Sequence, residues 1–302
     1  MIIDQTDVAI IRSLEINGFL PEVQIKELNI SEEELNKRIN VLKKHGVISG
    51  FKGVIFVPKY LGGQWSFCCI FAYARNRGTV LKEICSSLPY VTEIWLNTNV
   101  PAGCGHNLAL LFYSQNVEQE VELLRRIKEI SLLSWQVILK YEFPAPCLLT
   151  ADEKTVLMAI LDQPDASTEI WAKTCKINRR WLGSEVNSLL RWRENPDGII
   201  QILPEVKFTQ AENFAHCHFI LECEKNVEMV FEELSVSGFK PIIPLNTGFQ
   251  KYFQLENDIW GLADLSFKIR HLNSFNEIKL RGLVIAEEKR IAADWARNLL
   301  QQ

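Results

Sequence analysis

Apolar positions in the first fifty residues fall at helical spacing and are broken at intervals by polar caps. Ile10, Ile11 and Leu14 form one stripe behind Asp4, a good N-cap, with Asp7 in the first turn. Asn17-Gly18 ends that helix, and Pro21 opens a shorter one through Val23, Ile25 and Leu28. Asn29-Ile30 makes a tight turn into a third helix. Ser31 caps it, Glu34 stands where it would complete a capping box, and Leu35, Ile39 and Leu42 lie at i, i+4 and i+7. Gly46 supplies a left-handed stop, after which Val47 and Ile48 begin a strand pair. Helix, helix, turn, helix and strand pair is the order of a winged helix-turn-helix.

Beyond this unit the period changes to two. Strands are predicted over 65–73, 90–98, 108–113 and 135–143, and helices over 79–88 and 117–130. The order βαββαβ is ferredoxin-like. The pattern then recurs. Leu182, Val186 and Leu189 stand 147 positions after Leu35, Ile39 and Leu42; Leu157, Met158 and Leu161 answer Ile10, Ile11 and Leu14. Six further segments (214–223, 227–235, 240–245, 252–256, 259–271 and 276–285) fill the same βαββαβ places, and 287–300 reads as an extra helix. Such a long repeat implies a duplicated domain. The expected fold is α+β: two winged helix-turn-helix domains (1–55 and 151–207), each followed by a ferredoxin-like, RAM-type domain (56–143 and 208–286). A linker (144–150) joins the halves and a C-terminal helix (287–302) ends the chain.

Strand alternation adds a face. Cys217, Phe219, Leu221 and Cys223 point one way, toward helices, while His216, His218, Ile220 and Glu222 point the other. The same face of the first half carries Phe67, Cys69, Phe71 and Tyr73, an aromatic surface that must be covered. The two halves are therefore expected to mate as an internal pseudo-dimer, with further homo-oligomers open.

The net charge of -4 and a pI near 5.9 exclude a chain that is basic overall, so contact with nucleic acid must be local. Asp4 and Asp7 argue against a signal peptide, and the longest apolar stretch, 67–74, is too short to span a bilayer, so no membrane partner and a cytoplasmic location are expected. Eight scattered cysteines read as reduced thiols.

The run Asp4-x-x-Asp7-x-x-Ile10-Ile11-x-x-Leu14, then Ile30-Ser31-x-x-x-Leu35-x-x-Arg38-Ile39-x-x-Leu42, then Gly46-Val47-Ile48-x-Gly50-Phe51 resembles the leucine-responsive regulatory protein/AsnC family. The resemblance implies a transcriptional regulator that binds double-stranded DNA through its N-terminal domain. It also implies regulatory sheets packed face to face, and a small-molecule effector between them. The stretch 99–107 departs from the family: it is longer than the usual Gly-Asp turn and lacks an acid, which argues against an amino-acid effector. By analogy the effector would lie near Asn97, Asn99, His106, Asn246 and Thr247.

The two reading helices differ. Glu32, Glu33 and Glu34 oppose Lys37, Arg38, Lys43 and Lys44 in the first, a balance of +1; Glu185 opposes Arg179, Arg180, Arg191 and Arg193 in the second, a balance of +3. DNA contacts are expected from Ser31, Asn36, Lys37, Asn40 and Lys44, and more strongly from Asn178, Arg179, Arg180, Ser184, Asn187 and Arg191. His216-Cys217-His218 and Cys104-x-His106 invite a metal, but without zinc spacing no metal or cofactor is expected. No Walker loop, GxGxxG or GxSxG occurs, so no catalytic residue and no enzyme is expected. Two alternatives stay open. One is a tetrapyrrole enzyme resembling the siroheme decarboxylases, on the strength of His106-Asn107-Leu108; the other is a co-regulator that assembles with family members without touching DNA.

Overall fold

The computed structural model describes residues 1–100, 105–176, 186, 188–191, 194–223, 230, 234–235, 239–244 and 252–301. It is a mixed α+β structure around an antiparallel sheet. Three helices come first: α1 (Gln5–Asn17), α2 (Pro21–Leu28) and α3 (Glu32–Lys44). Asp4 and Asp7 cap α1 reciprocally, and Asn29 in the left-handed region (φ 52°) turns α2 into α3. Ser31 accepts from the Glu34 N–H, but the expected box is only half made, because the Glu34 carboxylate turns to Arg38 at 2.5 Å. Arg38 also reaches Asp4 and Asp7, both at 2.9 Å, so it ties α3 to α1.

The remaining elements of the first half are β1 (Ile48–Ile55), α4 (Val57–Leu61), β2 (Gly63–Ala74), α5 (Arg77–Ser87), β3 (Val91–Val100), β4 (Leu108–Ser114), α6 (Val117–Arg125) and β5 (Ile130–Phe143). The second half holds α7 (Ala151–Asp162), α8 (Thr168–Cys175), β6 (Ile200–Lys207), β7 (Ala215–Cys223), β8 (Lys240–Pro244), β9 (Tyr252–Ile259), α9 (Gly261–Leu272), β10 (Ile278–Ile291) and α10 (Asp294–Leu300). Among the described residues no helix is long and apolar enough to cross a membrane.

Pairing across the halves corrects several expectations. β1 does not pair within its own unit. It runs antiparallel to β6, so each half of the chain supplies one strand of a shared ribbon. The two larger sheets are joined at an edge, with β3 against β10, giving the order β5-β2-β4-β3-β10-β7-β9-β8. Their inner faces also meet: Cys69, Phe71 and Ala109 of one half pack with Ile220 and Val284 of the other. The outer faces carry separate cores beneath the helices, one around Cys68, Ile70 and Phe112 and one around Cys217, Phe219 and Leu221. That division follows the alternation read from the sequence.

The extra helix begins at Asp294, not at 287. Residues 287–291 instead extend β10, whose Glu288 to Ile291 pair with Leu96 to Glu93 of β3. Lys289 explains why. It is 2% exposed, its Nζ lies 3.2 Å from Glu15 and 3.3 Å from Glu93, and a helix here would strand a buried charge. The helix expected over 117–130 stops at Arg125, and β5 starts five residues earlier than expected, at Ile130. Between the halves, a side chain at Gly53 would sit 2.9 Å from Leu161 and 3.0 Å from Ile200, so the seam is closely packed there.

Removing the ammonium leaves two acids facing each other in the seam. Lys289→Ala should therefore lower unfolding free energy by about 3 kcal/mol, read from urea titration, and Glu15→Gln with Glu93→Gln should recover part of that loss.

Candidate functional site

The facing inner surfaces enclose a cavity of about 470 Å³, a size that suits a small molecule. Apolar side chains from the first half form its floor: Cys69 and Phe71 of β2, Trp95 of β3, and Ala109 and Leu111 of β4. Phe208 and Phe214, just ahead of β7, and Val8 and Ile11 of α1 close it. Phe208 stacks on Trp95 and on His216, with ring centroids 6.0 and 5.6 Å apart, while Trp95 and His216 are tilted to each other by 39°.

Polar groups enter from both halves. Strand alternation puts His216 and His218 of β7 on the inner face, and the register sets them opposite Asp258 and Glu256 of β9. Arg12 Nε on α1 donates to Asp258 at 3.0 Å, and a terminal nitrogen makes a shorter bond to the same oxygen. The other Asp258 oxygen lies 3.2 Å from His216 Nδ1, and His216 Nε2 lies 3.2 Å from His218 Nε2. His218 Nδ1 lies 3.0 Å from Gln254 Oε1, and Gln254 Nε2 lies 3.3 Å from His106 Nδ1. This series runs from the N-terminal helix of one half, through two strands of the other, back to the first half. Glu256 stands 3.7 Å from Arg12 and 3.9 Å from His216 Nε2.

Burial alone would raise the Asp258 carboxyl, but His216 and Arg12 outweigh it and hold it below the usual range. His218 is pulled down by burial and then by His216; His106 is pulled well below 6.5 by burial and by His218. Lys289 behaves oppositely: burial favours the neutral amine, yet Glu15 and Glu93 keep it charged. Among the described lining residues four carboxylates (Glu15, Glu93, Glu256 and Asp258) thus face two cations, Arg12 and Lys289.

The corresponding space in the other half is filled. Phe56 lies 5.9 Å from Tyr113, 5.0 Å from Tyr141 and 5.8 Å from Phe143, and Phe67 packs 5.0 Å from Tyr113. Where β7 and β9 pair His216 with Asp258, β2 and β4 pair Phe67 with Tyr113.

No protein-family model and no curated protein matches the chain. Among solved structures it is similar to the siroheme decarboxylase NirDL, 15% identical over 98% of this chain and 99% of that one, with a TM-score of 0.43. The same enzyme in co-complex with an iron-uroporphyrin III analogue is 17% identical over 94% of this chain and 90% of that one, TM-score 0.42. E. coli AsnC is 22% identical over 50% of this chain and 98% of its own, TM-score 0.26. The full-length likeness is to an enzyme and the half-length one to a regulator. On that finding the expectation that the chain is not an enzyme is withdrawn.

The sequence-predicted residues fall into three groups. Asn97 lines the cavity, and His106 joins its wall through Gln254. Among the described residues the buried Asn99 amide has no hydrogen-bond partner. Asn36, Lys37, Asn40 and Lys44 share the exposed face of α3, beside Ser31 at its cap. The Arg191 guanidinium lies over the Phe56 ring at 3.9 Å and its Nε donates to the Pro196 carbonyl. Asn178, Arg179, Arg180, Ser184, Asn187, Asn246 and Thr247 lie outside the described residues.

Arg12, Gln254, Glu256, Asp258 and Lys289 were missed. Gln254, Glu256 and Asp258 recur at every second position of one strand, a polar inner face that the alternation could have revealed.

His106 is neutral in the fold, and the unfolded chain takes up its proton more readily below pH 6.5. Its contribution to stability is therefore complete above 6.5 and is lost as pH falls below it. Urea midpoints at about pH 7.5 and about pH 5 should differ in that sense, and His106→Gln should narrow the difference.

Proposed function

We propose that the chain is a small-molecule enzyme whose reaction takes place in the inter-sheet cavity, and that it removes a carboxylate from a flat, ring-bearing substrate of the tetrapyrrole class. In this reading its two halves form a duplicated pseudo-dimer, each with a winged helix-turn-helix and a RAM-type sheet. The observation that carries it is the half-buried series Arg12–Asp258–His216–His218 on the wall of a cavity whose floor is apolar and aromatic. Such a series holds exchangeable protons in fixed positions, as general acid–base chemistry requires. Decarboxylation of an acetate arm breaks its C–C bond, releases neutral carbon dioxide and adds one proton to the carbon left behind. A substrate carboxylate in a cavity with two more acids than cations is raised in energy, and that strain is relieved when it leaves uncharged. The aromatic wall of Trp95, Phe208 and Phe214 suits a planar ring.

Siroheme, the substrate in the name of NirDL, is the first compound to test. Anaerobic titration should shift its Soret band, and incubation should yield a product lighter by carbon dioxide. His216→Gln should slow that step by roughly a hundredfold or more. An unchanged spectrum together with unchanged substrate mass would remove tetrapyrrole decarboxylation from consideration.

A second reading, DNA binding, is supported by the exposed polar face of α3. Its charge is weak, however: Arg38 is held by acids, Lys43 pairs with Asp165 at 2.5 Å, and Glu32, Glu33 and Glu34 occupy its first turn. If that face binds a duplex, Lys37→Ala with Lys44→Ala should reduce the salt slope of binding by about 1.8.

A further inference from the structure

Two imidazoles of the cavity wall face each other through their Nε2 atoms, an arrangement that a cation between them would satisfy. The Asp258 carboxylate can only accept, so the His216 Nδ1 that faces it at 3.2 Å carries the hydrogen. Gln254 lies with its oxygen 3.0 Å from His218 Nδ1 and its nitrogen 3.3 Å from His106 Nδ1, and with the amide in that orientation His218 also carries its hydrogen on Nδ1. Both Nε2 atoms are then lone-pair acceptors, and they confront each other at 3.2 Å. Two lone pairs at that distance repel unless something positive lies between them.

We propose that His216 Nε2 and His218 Nε2 bind a divalent transition-metal ion of the zinc or ferrous class, with Glu256 as the third ligand and the remaining position open to the cavity. The spacing fits. Two imidazole nitrogens each ~2.05 Å from a tetrahedral ion stand roughly 3.3 Å apart. Glu256 Oε1, 3.9 Å from His216 Nε2, needs to close by only a fraction of an ångström, and its present partner Arg12 keeps Asp258 when it does. The outer partners are of the kind that orient metal-binding imidazoles: a carboxylate on one Nδ1 and an amide oxygen on the other. The charge fits too, since a divalent ion cancels the excess of two carboxylates over cations among the described lining residues. Two histidines and one carboxylate with an open position is a donor set for zinc or non-haem iron chemistry. Among the described residues no ready-made cluster of three ligands exists; the site is completed by the movement of Glu256. A water on the ion would be the group offered to a ligand in the cavity, so the site holds for substrates other than tetrapyrroles.

The test uses the full chain and needs no turnover. Protein stripped with chelator is dialysed against Zn²⁺ and, separately, Co²⁺. The expected result is one ion per chain by elemental analysis, with visible cobalt absorption of a low-coordinate imidazole site. Asp258→Asn should weaken zinc binding roughly 10–100-fold, and His218→Ala should abolish the cobalt bands. Should His218→Ala fail to fold, nitrogen NMR of the wild-type imidazoles decides: both Nε2 signals should move on adding Zn²⁺. Less than one bound ion per chain, with one of the two histidines found as an imidazolium at neutral pH, would mean a shared proton bridges the pair and would overturn the proposal.

Discussion

The constraint on which the architecture depends is the antiparallel pairing of β10 with β3. It turns two sheets into one and draws the charged end of β10 into the interior. Lys289 can be buried there only because Glu15 comes from α1 and Glu93 from β3, so one ammonium fixes three elements at once. Such a cluster contributes to register more than to net stability, since the cost of desolvating three charges offsets most of their attraction. A slip of one residue would turn Lys289 to the opposite face and leave both acids without it.

The same pairing decides where a cavity can exist. Once the sheets are joined and curved, their inner faces approach each other, and side-chain size determines whether the space is filled. On one side Phe56, Phe67, Tyr113, Tyr141 and Phe143 fill it. On the other, residues in corresponding strand positions are His216 and Asp258, which are smaller and polar, and the space stays open. Two sheets of like strand order thus support unlike sites, because aromatic side chains stand in one where titratable ones stand in the other.

Much of this was legible in the sequence. The capped stripe from Ser31 to Leu42 specified α3, and period-two alternation placed Cys217, Phe219 and Leu221 under helices and His216 and His218 on the inner face. Long-range pairing was not legible. The residues of β1 contain nothing that names β6 as partner, and Glu287 to Arg290 have helix-forming side chains whose strand conformation is imposed by neighbours distant in sequence. The role of Arg12 was hidden for the same reason: on a helix surface it reads as a solvated charge, and only the fold brings Asp258 to it. The stacking of Arg191 on Phe56 was equally hidden, because it joins segments far apart in the chain.

The N-terminus is stitched to the second half: the Met1 ammonium bonds to Glu212 at 2.8 Å and to the Gln210 carbonyl, while Ile3 exchanges hydrogen bonds with the Asn213 side chain. During synthesis the leading residues must therefore wait until most of the polypeptide has left the ribosome. In that interval β1 is an unpaired edge, open to strands of neighbouring nascent chains. Late closure of the β1–β6 ribbon follows from the distance along the chain that separates its two strands.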